Sequence, residues 1–337
     1  MQKKTFAFIV FLRALAAILI TNTHLCEFYS VKIFRGGGVL GDILFFAVSG
    51  FCLWRPEMES SFKHWYIKRA IRCLLPLWIV TSICGVLRIY VITPSSLFYH
   101  YVFPTEYHFI SSIMILYIPF YFIMKFLKGK LWLIFALLLV IYFAVYFSCY
   151  DKSYYHIDNV HEPMIWFLFM QSMIAGALFR EQTIRMGDHV SNTYVSTPIT
   201  PAICNFAVAG ILAVVYALSK VYFVRGWLPP RFQFLNQIVI YLLCLSLFRA
   251  FFGIEAFLSR CKMHKMITQP ISFIAECTLE IYLVQVPIIL VLSNYRSLRL
   301  RWLIGVVAIS IVAYILHRIC GVVLHQVGKL HCLQKWI

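Results

Sequence analysis

Charged residues are scarce in this sequence, and acidic residues are the scarcest. Asp and Glu number only 13 among 337 residues, and charged residues make up 13% of the chain, whereas 62% is hydrophobic. Apolar runs long enough to cross a bilayer recur from the first residues to nearly the last. These features exclude a soluble globular domain and predict a polytopic membrane protein.

Metal-binding and disulfide motifs are also lacking. The 11 cysteines include no pair in CxxC spacing, and most of them lie within apolar runs, where cysteine usually behaves as a small hydrophobic residue. We therefore expect no disulfide framework, no metal site and no permanently bound cofactor. No repeat of 20 to 50 residues and no low-complexity linker is present, so residues 1–337 are predicted to form a single transmembrane domain.

Basic residues exceed acidic ones, giving a formal net charge of +17. They lie mostly in short links between apolar segments, so they indicate membrane topology and no nucleic-acid partner is expected. With a cytoplasmic N-terminus, the inner links carry 18 Lys and Arg and the outer links carry 10. This bias predicts an all-α protein of about ten spans with both termini cytoplasmic. The predicted spans are 5–27, 36–54, 71–92, 109–127, 131–149, 163–180, 202–222, 234–252, 271–292 and 302–325.

The first apolar segment contains "RALAAILITNTH", residues 13–24, with an ionisable group at each end. Eleven helical steps place Arg13 and His24 on one face, about 16 Å apart. An arginine in the apolar interior costs several kcal/mol unless it faces a polar partner or a wet cavity. Histidine takes a proton near neutral pH, and guanidinium holds a phosphate or carbonyl group. The pair indicates acyl transfer; taken singly, a structural salt bridge and an interfacial histidine are equal alternatives.

These residues resemble the acyltransferase-3 family of integral membrane acyltransferases, whose first helix carries Arg-x10-His. "GDILFFAVSGF" at 41–51 resembles its Gly-x3-Phe-Phe-x2-Ser-Gly-Phe segment, and "FKHWYIKRAIRCLLPLW" at 62–78 resembles its Phe, Arg-x2-Arg and Pro pattern. The later stretches 106–121, 166–180 and 276–288 resemble further segments of the family in matching order. Two residues depart from the pattern there, Phe109 and Gln285.

The resemblance implies an O-acyltransferase that moves an acyl group, usually acetyl, from acyl-CoA to a carbohydrate hydroxyl. We expect acetyl-CoA as the donor, a surface or lipid-linked glycan as the acceptor, and a multi-pass protein among the lipids of the bacterial inner membrane. His24 would be the general base or a transient acyl carrier, and Arg13 would orient the thioester or stabilise the oxyanion. Glu27 and Asp42 are candidates to orient His24; an interfacial carboxylate and an N-terminal helix cap are their alternatives.

The donor site is predicted from two further groups of residues. Arg69 and Arg72, three apart at a helix start, would bind the CoA phosphates at the inner face, with ordinary positive-inside anchoring as the alternative. Small and aromatic residues of the second helix would line a pantetheine tunnel, with helix packing as the alternative. These second-helix residues are Phe45, Phe46, Ser49 and Gly50.

Acceptor contacts are expected from Glu106 and His108 at the outer end of the fourth span, with an interfacial role as the alternative. Glu276 and Glu280, four apart on one predicted helix face, would pair with Arg13 or Arg318 or line a polar cavity. A secondary transporter, with Arg13 and these glutamates as an ion or substrate path, is the second functional class. A scaffold that assists polysaccharide assembly is the third.

Overall fold

The structure is a computed structural model that describes residues 6–29, 36–190, 200–258, 264–294 and 300–329. In these ranges the chain is helical and contains no β-strand, which confirms the all-α class. Twelve α-helices are present in the described part. They are α1 (Ala7–His24), α2 (Gly38–Leu53), α3 (Phe62–Val86), α4 (Leu97–Tyr101), α5 (His108–Phe126), α6 (Leu131–Ser148), α7 (Pro163–Val190), α8 (Thr200–Val224), α9 (Phe234–Leu258), α10 (His264–Glu276), α11 (Thr278–Ser293) and α12 (Arg301–Lys329).

Eight helices of the described part are long and apolar enough to cross a membrane, and a ninth span is possible if the bent α10–α11 pair counts as one. The eight are α1, α3, α5, α6, α7, α8, α9 and α12. The predicted second span corresponds to α2, which is apolar but has only 16 residues. Every predicted span therefore has a helical counterpart.

The predicted span 271–292 is not a single helix, because α10 and α11 meet at a bend of 69°. The Thr278 hydroxyl lies at this bend and donates to the carbonyls of Ala275 and Ile274, at 2.6 and 3.2 Å. A side chain that bonds the preceding turn in this way favours bending. The prediction that Glu276 and Glu280 share one helix face is therefore wrong, because Glu276 ends α10 and Glu280 lies in α11.

The helix α3 begins at Phe62, nine residues before the predicted span. The Ser61 hydroxyl accepts the His64 N–H at 3.4 Å and caps this end. The predicted span began later because charged residues lower the mean hydropathy of the first turns of this helix. Arg69 and Arg72 thus lie inside α3, seven and ten residues after its first residue, and the prediction that they stand at a helix start is wrong.

The chain folds into two compact units, each built from three separate segments. The first contains Met1–Ala16, Val39–Pro56 and Phe122–Ser272. In it, α2 and α7 pack with their backbones in close approach, because a Cβ added at Gly50 would overlap the Met173 carbonyl and one at Gly176 would overlap the Ala47 carbonyl. Small residues permit this approach between membrane helices.

The first unit also holds its α6–α7 loop by buried hydrogen bonds. Gln233, fully buried, accepts the backbone N–H groups of His156 and Ile157, each at 3.0 Å. The Asp158 carboxylate accepts the hydroxyls of Tyr155 and Tyr216 at 2.5 and 2.7 Å. Because buried polar groups need partners, these bonds fix the loop against α8 and the start of α9.

The second unit contains Ala17–Gly38, Glu57–Tyr121 and Phe273–Ile337. The segment before α5 is attached to α11 in this unit. The buried Tyr107 hydroxyl donates to the Leu283 carbonyl at 2.9 Å and lies 2.8 Å from the Tyr90 hydroxyl. Burial raises the pKa of the Tyr107 hydroxyl well above its ordinary value, so this group stays protonated and remains a donor.

Candidate active site

Helix α1 carries both residues of the Arg-x10-His pattern. Its 18 residues include neither Gly nor Pro and are rich in Ala, Leu and Ile, so nothing interrupts the helix between Arg13 and His24. Arg13 is partly buried, whereas His24 is exposed and is the last α-helical residue before a 3-10 turn, Leu25–Phe28. Arg13 and His24 therefore belong to one uninterrupted helix, and their roles stay predictions.

Arg13 belongs to the first unit, as do Arg55 and Arg180. Arg13, Arg55 and Arg180 are all within electrostatic range of the Cys52 sulfur in α2. The Arg180 guanidinium also stacks on the rings of Phe6 and Phe51, at 4.7 and 5.1 Å from their centroids. This region is therefore cationic, although Arg55 and Arg180 lie far from Arg13 in sequence and were not predicted.

The two carboxylates predicted to orient His24 have different outcomes. Asp42 is buried in α2, which begins at Gly38, so it lies in the second turn and is not an N-terminal cap. A buried carboxylate is costly, which keeps Asp42 a candidate for a functional role. Glu27 lies in the 3-10 turn, but its side chain is outside the described residues.

The predicted tunnel residues of α2 divide into packed and partly exposed ones. Gly50 packs directly against the α7 backbone, which leaves no room for a Cβ. The Phe46 ring stacks on Phe169 with the ring centroids 4.2 Å apart. These contacts are those of helix packing. Phe45 and Ser49 are partly exposed, and for them the tunnel stays a prediction.

The structure separates the predicted pair Arg69 and Arg72. The Arg69 guanidinium lies 4.0 Å from the centroid of the buried Trp65 ring and donates to the Trp65 carbonyl at 2.8 Å. Arg72 instead lines an open cavity of about 270 Å³ with Lys68 and His325. We call this the basic pocket; its remaining lining residues are Ile71 and Leu324.

Three side chains of the basic pocket carry nitrogen atoms that can donate hydrogen bonds. Lys68 and Arg72 are four apart on α3 and so project from the same helical face. His325, near the end of α12, completes the set across the pocket. Guanidinium and ammonium groups are the usual protein ligands of phosphate. The spacing of Lys68 from Arg72 was visible in the sequence, whereas His325 carried no sequence signal because it lies more than 250 positions away.

A second cavity of the same unit, of about 200 Å³, lies where the end of α1 meets α10, α11 and α12. We call it the amphipathic cavity. Its interior is mostly aliphatic, and polar and aromatic groups of Asn22, Tyr29 and Trp302 also line it. The Trp302 indole N–H donates to the Tyr29 hydroxyl at 2.8 Å, and that hydroxyl donates to Asn22 at 2.5 Å. Thr21 and Leu25, on either side of His24 in the chain, are among the lining residues.

The basic pocket and the amphipathic cavity lie at opposite ends of α12. Trp302 is its second residue, and His325 follows 23 residues later. At 1.5 Å per residue the two positions are about 34 Å apart along the helix, close to the thickness of the bilayer's hydrocarbon core. One pocket thus adjoins each end of a membrane-length helix.

The predicted acceptor residues Glu106 and His108 flank the buried Tyr107. Glu106 is exposed, and His108 is the partly buried first residue of α5. The Tyr107 hydrogen bond to α11 holds this segment in the second unit. Acceptor contact by either residue stays a prediction.

Glu280 pairs with a histidine rather than an arginine. Its Oε1 lies 2.9 Å from Nδ1 of His317 in α12, and the carboxylate is buried. The predicted partners were Arg13 and Arg318, and Arg318 is adjacent to His317 in the chain. Which of two adjacent residues faces a neighbouring helix depends on how the helix is rotated about its axis, and sequence spacing alone does not provide that rotation.

The helical composition and the apolar, membrane-length helices define a multi-pass integral membrane protein. The sequence profile of the family Acyl_transf_3, described as an acyltransferase domain, matches residues 6–318. The chain therefore belongs to the acyltransferase-3 family, as its motifs predicted, and is a membrane acyltransferase in the general sense. No curated protein and no solved structure matches the chain significantly.

Proposed function

We propose that this protein is a membrane O-acyltransferase that moves an acetyl group from acetyl-CoA to a hydroxyl of a glycan. The donor would enter at the inner face and the acceptor at the outer face, with the protein in the bacterial inner membrane and its product a modified surface polysaccharide. Family membership supports acyl transfer, and the remaining details are inferred from the chemistry of the pockets.

The observation that carries this proposal is the arrangement of two chemically different pockets at the two ends of α12. The basic pocket offers Lys68, Arg72 and His325 to a polyanion, and CoA is a cytoplasmic polyanion. The amphipathic cavity, at the His24 end of α1, offers aromatic and amide groups suited to a sugar. A donor and an acceptor from opposite membrane faces would each find a matching site.

The reaction follows from the functional groups of α1. A neutral His24 imidazole takes the proton of the acceptor hydroxyl, while the hydroxyl oxygen attacks the thioester carbonyl carbon. The Arg13 guanidinium stabilises the oxyanion that forms. The C–S bond then breaks, CoA leaves as a thiolate, and the proton held by His24 passes to it. Alternatively, His24 first accepts the acyl group and releases CoA before the hydroxyl attacks.

The test uses purified protein in liposomes with acetyl-CoA labelled in the acetyl group. His24→Ala should abolish transfer to glycan without loss of folding, and His161→Ala, which removes an exposed histidine of the α6–α7 loop, should leave transfer unchanged. Normal transfer by the His24→Ala variant would refute the proposal. Detection of an acetyl-protein intermediate in wild type but not in His24→Ala would select the acyl-histidine route.

A secondary transporter is the second candidate, because one observation favours it. The broken α10–α11 pair and the contact of the buried Glu280 with His317 are features that ion-coupled transporters use. This function predicts uptake of a solute driven by an ion gradient, abolished by Glu280→Gln and independent of acetyl-CoA. Acetyl transfer that persists in Glu280→Gln without gradient-driven uptake would exclude it.

A further inference from the structure

We propose that the amphipathic cavity binds an acceptor carried on an aliphatic chain, with the chain inside the cavity and the sugar at its Trp302 rim. This inference rests on the proposed function and narrows its acceptor to a lipid-linked glycan. Free oligosaccharides would bind the rim alone and therefore more weakly.

The interior of the cavity fits an aliphatic chain. Seven of its twelve lining residues are aliphatic, namely Ala17, Ile18, Leu25, Ile274, Ile281, Val306 and Ile309. Such a wall offers dispersion contacts and no hydrogen bonds, so it selects an apolar ligand portion over a sugar ring.

The polar groups of the cavity are few and specifically placed. Thr21 and Ser310 contribute to the lining, and the Ser310 hydroxyl donates to the Val306 carbonyl at 2.8 Å. The other polar groups of the lining, those of Asn22, Tyr29 and Trp302, belong to the rim.

The rim fits a sugar ring. The Trp302 side chain is 43% exposed, and its indole is held in place by the Tyr29 hydroxyl, which is itself bonded to Asn22. Asn22 in turn donates to the Gly36 carbonyl at 3.0 Å. An aromatic face fixed in this way stacks on a sugar with little loss of side-chain entropy.

Residues that line the amphipathic cavity are neighbours of His24 in the chain, which relates the cavity to the proposed reaction. Asn22 precedes His24 by two residues in the last turn of α1, and Leu25 follows it at the start of the 3-10 turn, so the cavity wall and the proposed base are neighbours in the chain. A chain anchored in the cavity thus holds its sugar at the end of the helix where His24 lies.

The first test measures binding without requiring transfer. The protein is placed in nanodiscs free of glycoside detergent, and equilibrium binding of methyl β-glucoside and octyl β-glucoside is compared. Wild type should bind the octyl compound at least about tenfold more tightly, which two or three buried methylene groups suffice to provide. Val306→Phe, which fills the cavity, should remove this preference.

The matched control is Val307→Phe, one residue further along α12, where the side chain is 48% exposed. Because octyl chains also partition into the bilayer, this variant measures that contribution and should keep the wild-type preference. An equal octyl preference in wild type, Val306→Phe and Val307→Phe would overturn the proposal.

The second test addresses the rim and the reaction. Trp302→Ala should raise the KM for the acceptor about tenfold and leave the KM for acetyl-CoA unchanged. Trp302→Phe, which keeps an aromatic ring, should bring the acceptor KM most of the way back to the wild-type value. Trp132→Ala, at an exposed site of α6, should change neither KM. If Val306→Phe instead alters the preference for acetyl-CoA over octanoyl-CoA, the cavity holds the donor's acyl chain and the proposal is wrong. Octyl binding that follows the expected pattern, without acetyl transfer by wild type, would refute the proposed function and leave the cavity's ligand class intact.

Discussion

Removal of the Arg72 guanidinium should weaken binding of acetyl-CoA but not of a donor that lacks phosphates. Arg72 lines the basic pocket with Lys68 and His325, and a charge-assisted hydrogen bond to phosphate contributes about 1.5 to 3 kcal/mol. Arg72 is exposed, so solvent screening favours the lower end of this range. About 1.4 kcal/mol corresponds to a tenfold change in affinity.

The assay compares KM for acetyl-CoA and for S-acetyl-pantetheine in wild type and Arg72→Gln. We expect about a tenfold rise for acetyl-CoA and no change for the pantetheine thioester. The rise should shrink at high salt, because ionic strength screens exposed charges.

Arg69→Gln is the matched control, since it removes the same group three residues away. Its guanidinium contacts Trp65 rather than the pocket, so we expect lower thermal stability with little change in the KM for acetyl-CoA. An equal rise in KM for both donors in Arg72→Gln would refute the assignment of this pocket to phosphate. So would an Arg69→Gln variant whose acetyl-CoA KM rises as much as that of Arg72→Gln.

Three further predictions concern the packing of the helices and the loop. Gly176→Ala should destabilise the protein by about 1 to 3 kcal/mol, because the added Cβ would overlap the Ala47 carbonyl. Gly210→Ala, which has open space around it, should be neutral or slightly stabilising. Thermal unfolding in detergent measures both variants, and equal stabilities would contradict the packing of α2 against α7. Gln233→Leu should leave two backbone N–H groups unpaired, at a cost of about 1 to 3 kcal/mol each, and should speed proteolysis of the α6–α7 loop. Gln182→Leu, at an exposed position, should leave the proteolysis rate unchanged. Unchanged cleavage of Gln233→Leu would count against the hydrogen bonds between Gln233 and the loop. Tyr107→Phe should lower the unfolding temperature through loss of its bond to α11, and an unchanged temperature would show that the bond contributes nothing net.

Much of the fold could be predicted because a bilayer imposes length and hydropathy on each spanning helix. All ten predicted spans have helical counterparts, and the first helix carries Arg13 and His24 as its sequence indicated. The break at 276–278 was not predictable from hydropathy, since both halves are apolar and the bend depends on the local bonds of Thr278.

The candidate site was predicted less completely. Sequence motifs identified the family and the arginines of α3, and the family's profile confirms the former. They could not show that Arg69 turns to Trp65 while Arg72 joins His325, because side-chain direction depends on which helices pack together.

The sequence by itself determined the membrane class, the helices and the residue pair of α1, since these follow from local composition and periodicity. Only the tertiary structure decided which small residues have a neighbouring helix packed against them and which charged residues line open space. Gly50 and Arg72 illustrate the difference, because each belongs to a family motif, yet one is packed against a backbone and the other faces a cavity. The physical reason is that burial and pairing are properties of contacts between distant segments, and these contacts are set by how the helices pack.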